Sequence, residues 1–135
     1  MTFANTGATF DSKNVGSNKT VTVSGLSING TDAANYSLSN TSSTTTANIT
    51  KKDVTLTAIT AANKTYDGGT LATITAGTIS GTVGAETLSM SGSGGFADKN
   101  AGLSKIVTVV DVTALAKIDG SGAWSNYNLT TTGSL

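Results

Sequence analysis

Alternating apolar and polar positions run through much of this chain and predict β-strands. In segments such as "KTVTVSG", "DVTLTAI", "ETLSMSG" and "KIVTVVDV", apolar side chains recur at every second position, with threonine or serine between them. A two-residue period places one set of side chains on a core face and the other on a solvent face. The predicted core face carries Val21, Val23, Val54, Leu56 and Ala58. No helical period extends beyond about two turns, and "GTDAANY" is expected to form one short turn.

The runs bounded by Gly, Asn and Ser define the predicted strands. In the first part of the chain they are Thr20–Ser24, Tyr36–Ser39 and Thr46–Thr50. In the second part they are Val54–Ile59, Leu71–Thr75, Thr78–Val83, Thr87–Ser91, Lys105–Val110 and Tyr127–Thr131. Short strands separated by frequent turn signals are typical of a β-sandwich.

The chain contains an internal repeat. "FDSKNVGSNKTVTV" (residues 10–23) aligns without gaps with "FADKNAGLSKIVTV" (residues 96–109), at a constant offset of 86. "AANYSL" (residues 33–38) matches "WSNYNL" (residues 124–129) at an offset of 91. Two blocks in the same order define a unit of about 85 to 90 residues, which is the size of a small β-sandwich and larger than a solenoid coil.

We therefore predict an all-β fold made of antiparallel, Ig-like β-sandwich modules in an elongated tandem arrangement, with a β-solenoid as the alternative. The boundary is placed at Lys51-Lys52, where one strand runs almost directly into the next. Residues 1–50 are then the C-terminal part of one repeat, and residues 51–135 are most of the following repeat. Such a tight connection is expected to make a stiff string of domains.

Composition narrows the classes of function. Ser and Thr fill close to one third of the positions, and only 12% of the residues are charged, against about 25% in an ordinary domain. A net charge of zero argues against nucleic acid, because phosphate binding needs a cationic patch. The chain has neither a basic amphipathic segment nor an apolar run near 18 residues, so no membrane insertion is expected. Without a signal peptide, it is expected to be a soluble excised fragment or an intracellular chain.

The chain has no Cys and no His. A thiolate nucleophile, an imidazole base and the commonest zinc ligands are therefore all missing. We expect a protein that is not an enzyme and that uses no cofactor.

The segment "KTYDGG" (residues 64–69) groups the acid–base side chains of Lys64, Tyr66 and Asp67. Neither a nucleophile–base pair nor an oxyanion hole accompanies them, so a structural role is favoured. Asp67-Gly68 is a favoured dipeptide for a tight hairpin turn, in which both central residues have positive φ. Tyr66 is predicted to anchor this turn, with its ring packed down and its hydroxyl on the backbone.

The repeated Phe/Lys-Asn/Gly block is predicted to form a second kind of turn. Its structural residues are Phe10, Phe96, Lys99, Asn100 and Gly102. The rival hypothesis is a spontaneous Lys–Asn isopeptide bond, with a partner such as Asn126. That reaction needs a buried lysine, and neighbouring residues such as Lys99 and Asn100 point opposite ways on a strand. Bond formation would show as loss of ammonia in the intact mass.

Side chains that could bind calcium, a sugar ring or an attached glycan are also present. A calcium site needs converging oxygen ligands, whereas Asp11, Asp98, Asp111 and Asp119 are scattered, so no metal site is predicted. Trp124 and Tyr127 are candidate contacts for a sugar ring, although a core or loop plug is the favoured interpretation of Trp124. N-glycosylation sequons occur at Asn18, Asn29, Asn35, Asn40, Asn48, Asn63 and Asn128, and composition bias is the favoured explanation for them.

The chain resembles the YDG-type tandem repeats of large bacterial surface adhesins, the filamentous-haemagglutinin-like proteins. The segments that carry the resemblance are "KTYDGGTLAT" (residues 64–73), "GFADKNAG" (95–102), "FDSKNVG" (10–16), "TVTVSGLSINGTDAANYSL" (20–38) and "TANITKKDVTLTA" (46–58). They cover most of the chain in the order in which the family has them.

The resemblance implies a β-rich module in the exported part of a very long adhesin. The expected function is that of a non-catalytic stalk or spacer supporting adhesion or biofilm formation, at the bacterial outer surface or outside the cell. The expected partners are neighbouring repeats of the same chain, and the expected state is a monomer. The alternative function is a carbohydrate-binding module of the same adhesin, contacting polysaccharide or host glycan.

Overall fold

The computed structural model describes residues 1–134 and divides into two compact units, Met1–Thr50 and Lys51–Leu135. Each unit is built from its own β-strands. In the part of the chain that the structure describes, the only helices are single turns of 3-10 helix in the connections between strands.

The first unit has five strands, and all of its strand pairs are antiparallel. The strands are β1 (Thr2–Ala4), β2 (Gly7–Phe10), β3 (Gly16–Ser24), β4 (Ser27–Asn29) and β5 (Ser42–Ile49). Strands β1 and β4 form one ladder, and β2, β3 and β5 form a three-stranded sheet with β3 in the centre. The turn predicted in "GTDAANY" is present as a 3-10 helix, Ala33–Asn35.

The second unit has a six-stranded sheet. Its strands are β6 (Lys52–Ala61), β7 (Leu71–Ser80), β8 (Leu88–Phe96), β9 (Val107–Thr108), β10 (Ala116–Asp119) and β11 (Tyr127–Leu129). The order is β10-β8-β7-β6-β11, and β9 pairs with the last residues of β8. Every pair is antiparallel except β11 with β6, which is parallel.

The predicted fold class is confirmed. The protein is almost all β with antiparallel sheets that do not close into a barrel, an arrangement consistent with a β-sandwich. The alternative prediction, a β-solenoid, requires strands that pair in parallel from coil to coil. Neighbouring strands such as β6, β7 and β8 instead pair antiparallel, so the solenoid arrangement is not present among these strands.

The core of the second unit follows the two-residue period. Its most deeply buried side chains are those of Val54, Ile74, Met90 and Val112, each at most 1% exposed. Around them pack Leu56, Ala72, Val109, Leu115, Trp124 and Tyr127. Burial of this apolar surface is the main stabilising contribution to the unit.

The predicted core face of β6 is correct at Val54 and Leu56 and wrong at Ala58, which is exposed. The register of β6 against β7 shifts on both sides of Ala58. A bulge of this kind adds one residue and reverses the alternation beyond it. Ile59 and Ala61 accordingly pack against the core in place of Ala58.

Several predicted strand limits are wrong, each for a structural reason. The strands predicted at 71–75 and 78–83 are one strand, β7, and Gly77 within it lies close to Ala58 at the bulge. The strand predicted at 105–110 is reduced to Val107–Thr108. The strand predicted at Tyr36–Ser39 is not formed, since a strand needs a partner for its backbone groups and no ladder includes these residues.

Candidate functional site

Two loops of the second unit carry the motifs that the sequence singled out. The KTYDGG loop (residues 62–70) connects β6 to β7, and the FADKNAG loop (residues 97–106) connects β8 to β9. The Phe96 N–H donates to the Thr70 carbonyl at 2.8 Å, which joins the end of one loop to the start of the other. Together the loops line an open cavity of about 400 Å³, called here the loop cavity.

Lys64 organises the KTYDGG loop. Its ammonium donates to Asp67 Oδ1 at 2.7 Å and to the Gly69 carbonyl at 3.0 Å. The same carboxylate oxygen accepts the Gly69 N–H at 2.9 Å. The hydrogen bond from Lys64 and then that from the Gly69 backbone hold the pKa of Asp67 below its ordinary value.

The turn geometry predicted for this loop is wrong in two respects. Gly68 has φ +80°, but Asp67 does not share the positive φ that a two-residue hairpin turn of this type requires. Tyr66 is 61% exposed and therefore does not provide the predicted buried anchor. The lysine ammonium, bound to oxygens within the loop, holds the turn instead.

The FADKNAG loop has the same organisation around Lys105. Its ammonium pairs with the Asp98 carboxylate and donates to the Asn100 carbonyl at 2.8 Å. The Asn100 N–H donates to Asp98 Oδ1 at 2.8 Å. The Lys105 hydrogen bond and then the Asn100 N–H lower the pKa of Asp98. Lys99, the lysine that the sequence singled out, is exposed.

The first unit repeats this arrangement around Lys19. Its ammonium lies 2.7 Å from Asp11 Oδ1 and donates to Ser12 Oγ at 2.6 Å. At the offset of 86, Lys19 corresponds to Lys105 and Ser12 corresponds to Asp98. The aspartate therefore lies one position earlier in the first copy than in the second, and both copies have the ion pair.

Backbone and glycine geometry agree between the two copies. Asn18 and Ser104, which are equivalent residues, both have positive φ, at 51° and 52°. A side chain added at Gly16 would meet the Lys19 stem at 3.2 Å, and one added at Gly102 would meet the Lys105 stem at 3.6 Å. In both copies the lysine stem packs over the glycine, and the contact that a Cβ would make is tighter than ordinary only at Gly16.

We call this arrangement a lysine clamp: a lysine ammonium bound to an aspartate and to a second oxygen of the same turn. In all three clamps the lysine side chain is the less exposed partner, with the lysines 11–26% and the aspartates 51–59% exposed. Sequence reasoning missed Lys19 and Lys105, although their alignment at the offset of 86 marked them. The Lys64 ammonium also lies over the Phe96 ring, 5.8 Å from its centre.

We expect loss of the clamp to loosen its own loop. In Lys105→Met, hydrogen exchange at the Asn100 amide should become roughly three- to tenfold faster, because the carboxylate that accepts this N–H loses its cationic partner. The measurement is site-resolved hydrogen exchange near neutral pH. The matched control is Lys99→Met, which removes an exposed lysine from the same loop. Equal acceleration in both variants would contradict the clamp.

The clamps also predict how stability depends on pH. The folded-state pKa values of Asp11, Asp67 and Asp98 lie below 3.8, their ordinary value. A carboxylate whose pKa is lower in the folded state than in the unfolded state stabilises the folded protein at pH values above its unfolded-state pKa. This stabilisation is lost as the pH falls through the folded-state pKa. The melting temperature should therefore vary little between pH 5 and 8 for these groups and should fall below about pH 4. The fall should be smaller in Asp67→Asn, and an unchanged acid profile would count against the clamp.

Trp124 and Tyr127, the candidate sugar contacts, are buried, at 7% and 3% exposed. Trp124 Nε1 donates to the Ser89 carbonyl at 2.9 Å and to the Ile118 carbonyl at 3.1 Å. The Tyr127 hydroxyl donates to the Glu86 carboxylate at 2.6 Å and accepts the Val83 N–H at 3.1 Å. Both rings therefore belong to the core, which fits the interpretation of Trp124 as a plug.

The remaining candidate residues are placed as follows. Lys99 is exposed, whereas an isopeptide bond needs a buried lysine. Within residues 1–134, no three His, Cys, Asp or Glu side chains are grouped so as to hold a metal ion. All the sequon asparagines are exposed: Asn18, Asn29, Asn35, Asn40, Asn48, Asn63 and Asn128. Among the helices that the structure describes, none has the length and apolar character to cross a membrane.

Comparison with known proteins decides the family. The model of the YDG domain matches residues 1–46 and 50–134. The chain belongs to the YDG domain family. No curated protein and no solved structure matches it. The YDG match covers both lysine clamps of the repeated block and the third clamp in the KTYDGG loop.

Proposed function

We propose that this YDG chain is a non-catalytic structural spacer in a filamentous-haemagglutinin-like bacterial surface adhesin. In this proposal YDG modules follow one another in tandem, outside the cell or at its outer surface, and support adhesion or biofilm formation. The spacer acts as a monomeric part of a longer chain, and its partners are the neighbouring modules.

The observation that carries the proposal is the use of the motif side chains within their own turns. Lys64, the cation of the most reactive-looking segment, binds Asp67 and the Gly69 carbonyl and so closes a loop. Lysines that hold turns fit a structural role, in which the module contributes its shape and not a chemical reaction.

An exchange of modules tests the spacer role. In an adhesin that carries this chain, an unrelated β-sandwich domain of similar length replaces residues 51–135. A spacer should leave cell adhesion unchanged after the exchange, and deletion of the same residues should weaken adhesion by shortening the stalk. Loss of adhesion after the exchange, at equal surface expression, would overturn the proposal.

The loop cavity supports a second candidate function, carbohydrate binding. Its volume of about 400 Å³ falls in the range of small-ligand sites, and the exposed Tyr66 ring lines it beside Asn63 and Asn100. Bacterial exopolysaccharide and host glycans are the proposed ligands. The test is a glycan array followed by calorimetric titration, with Tyr66→Ala as the variant. Binding that this variant abolishes would favour the second candidate over the spacer.

A further inference from the structure

The two units contain corresponding antiparallel ladders. In the second unit, β8 pairs with β10 so that Leu88 lies opposite Asp119, and in the first unit Thr2 of β1 lies opposite Asn29 of β4. At the other end, β8 pairs with β9 through Phe96 and Val107. The equivalent pair in the first unit joins β2 to β3. Strands β1 and β2 together are therefore the counterpart of β8.

Strand β8 and its counterpart, β1 with β2, differ in whether a strand pairs with the edge opposite β9 and β10. Strand β8 pairs with β7 through residues 91–95, in addition to its pairs with β9 and β10. Among the residues that the structure describes, β1 pairs with β4 alone and β2 with β3 alone. The first unit thus has an open edge along residues 2–10, at the place where β7 lies in the second unit.

Two apolar side chains that are buried in the second unit have equivalents in the first unit that are more exposed. Tyr127 is 3% exposed, and its counterpart Tyr36 is 60% exposed. Val109 is 2% exposed, and its counterpart Val23 is only half-buried. In the second unit these side chains pack in a core that also contains Ile74 of β7. The first unit has the same side chains without an equivalent of that covering strand.

We propose that the open edge of β1 and β2 accepts a β6–β7 hairpin supplied by the front half of the same YDG repeat. The hairpin would pair antiparallel, as β7 does with β8, and its apolar face would cover Val23 and Tyr36. Strand β7 of a second copy is not the occupant, because both of its edges are already paired with β6 and β8. This inference concerns how one module is completed, and it does not depend on the proposed spacer function.

The repeat specifies the register of the added strand. Leu71 lies opposite Gly95, and Thr75 lies opposite Ser91. At the offset of 86, the same pairs place the residue equivalent to Leu71 opposite Thr9 and the residue equivalent to Thr75 opposite Asn5. A slip of one residue would turn the apolar face outward, so the register is strongly selected.

A fusion tests the proposal on the full chain. A second copy of residues 51–86 is placed directly before Met1, which reproduces the spacing found in the second unit because Met1 is equivalent to Thr87. Hydrogen exchange is then measured at the amides of residues 2–10 that are not bonded to β3 or β4. We expect their exchange to slow by tenfold or more, because hydrogen-bonded strand amides are protected. Residues 88–96 should keep the protection that they have in the unfused chain.

Two variants of the added copy serve as a matched pair. Ile74→Asp places a charge on its core face, and Thr73→Asp places the same charge on its exposed face. Only the first should abolish the added protection of residues 2–10. The proposal is overturned if the fusion leaves this exchange unchanged, or if Ile74→Asp protects as well as the parent fusion. It is equally overturned if the unfused chain dimerises by sedimentation with residues 2–10 protected, because the edge would then take a second copy.

Discussion

Replacing Trp124 with alanine is expected to lower the free energy of unfolding of the second unit by about 3–5 kcal/mol. The Trp124 ring is 7% exposed and packs in the main apolar core. Its removal leaves a cavity and also deprives the Ser89 and Ile118 carbonyls of their indole donor. Chemical denaturation followed by far-UV circular dichroism measures the loss, since the variant has no tryptophan to report by fluorescence.

Two further variants separate the causes of this effect. Trp124→Phe keeps most of the apolar ring and removes the Nε1 donor, so a smaller loss of about 1–3 kcal/mol is expected. Tyr66→Ala removes an aromatic ring that is 61% exposed, and its effect should stay within about 0.5 kcal/mol. If Tyr66→Ala destabilised the unit as much as Trp124→Ala, the assignment of Trp124 to the core would be wrong.

Ile74→Ala is expected to cost about 2–5 kcal/mol. Ile74 is 0% exposed in the middle of β7, where it packs against residues of the neighbouring strands and loops. Truncation removes three carbon atoms from a site with close neighbours on every side, so the contacts around the resulting cavity are lost. The midpoint of chemical denaturation should fall while the slope of the transition is unchanged.

The chain provides a matched control for this variant. Ile106 is 73% exposed in the FADKNAG loop, and Ile106→Ala makes the same chemical change with an expected effect within about 0.5 kcal/mol. The carbonyl of Ile106, which accepts the Ala97 N–H at 3.1 Å, is retained in that variant. Similar losses at positions 74 and 106 would mean that burial does not govern the stability of this unit.

The lysine clamps give the YDG motif a physical meaning. An aspartate two residues before a backbone N–H forms an Asx turn, as Asp67 does with Gly69 and Asp98 does with Asn100. The lysine then neutralises the carboxylate and binds a carbonyl of the same loop. In a chain without proline or cysteine, such clamps give loops a defined shape without disulfides or rigid residues.

Much of the candidate site could be predicted from the sequence, because the repeat marked it. The Phe/Lys-Asn/Gly block was identified as a turn, and equivalent positions such as Asn18 and Ser104 share an unusual backbone conformation. Lys99 lies within the motif and was therefore named as a turn residue, whereas the lysine that closes the turn, Lys105, lies beyond the motif. Pairing of Lys105 with Asp98 spans seven residues, and only the path of the loop brings the two together.

The comparison of Tyr36 with Tyr127 shows why local pattern was insufficient for strands. Both occur in the same short motif, and a strand was predicted at each. Tyr127–Leu129 is a strand because Lys52–Val54 pairs with it. Tyr36 is outside any strand, since no equivalent partner is present in the part of the chain that the structure describes.

The sequence by itself determined the two-residue alternation, the repeat at an offset of 86 and the all-β class, because these depend on the order of neighbouring side chains. The tertiary structure alone decided which carbonyls bind the indole of Trp124, that Ala58 lies at a bulge, and that the edge of β1 and β2 is open. Each of these depends on distant segments: the indole of Trp124, for example, donates to a carbonyl 35 residues away. Local periodicity specifies which face of a strand is apolar, whereas only the folded chain specifies what covers that face.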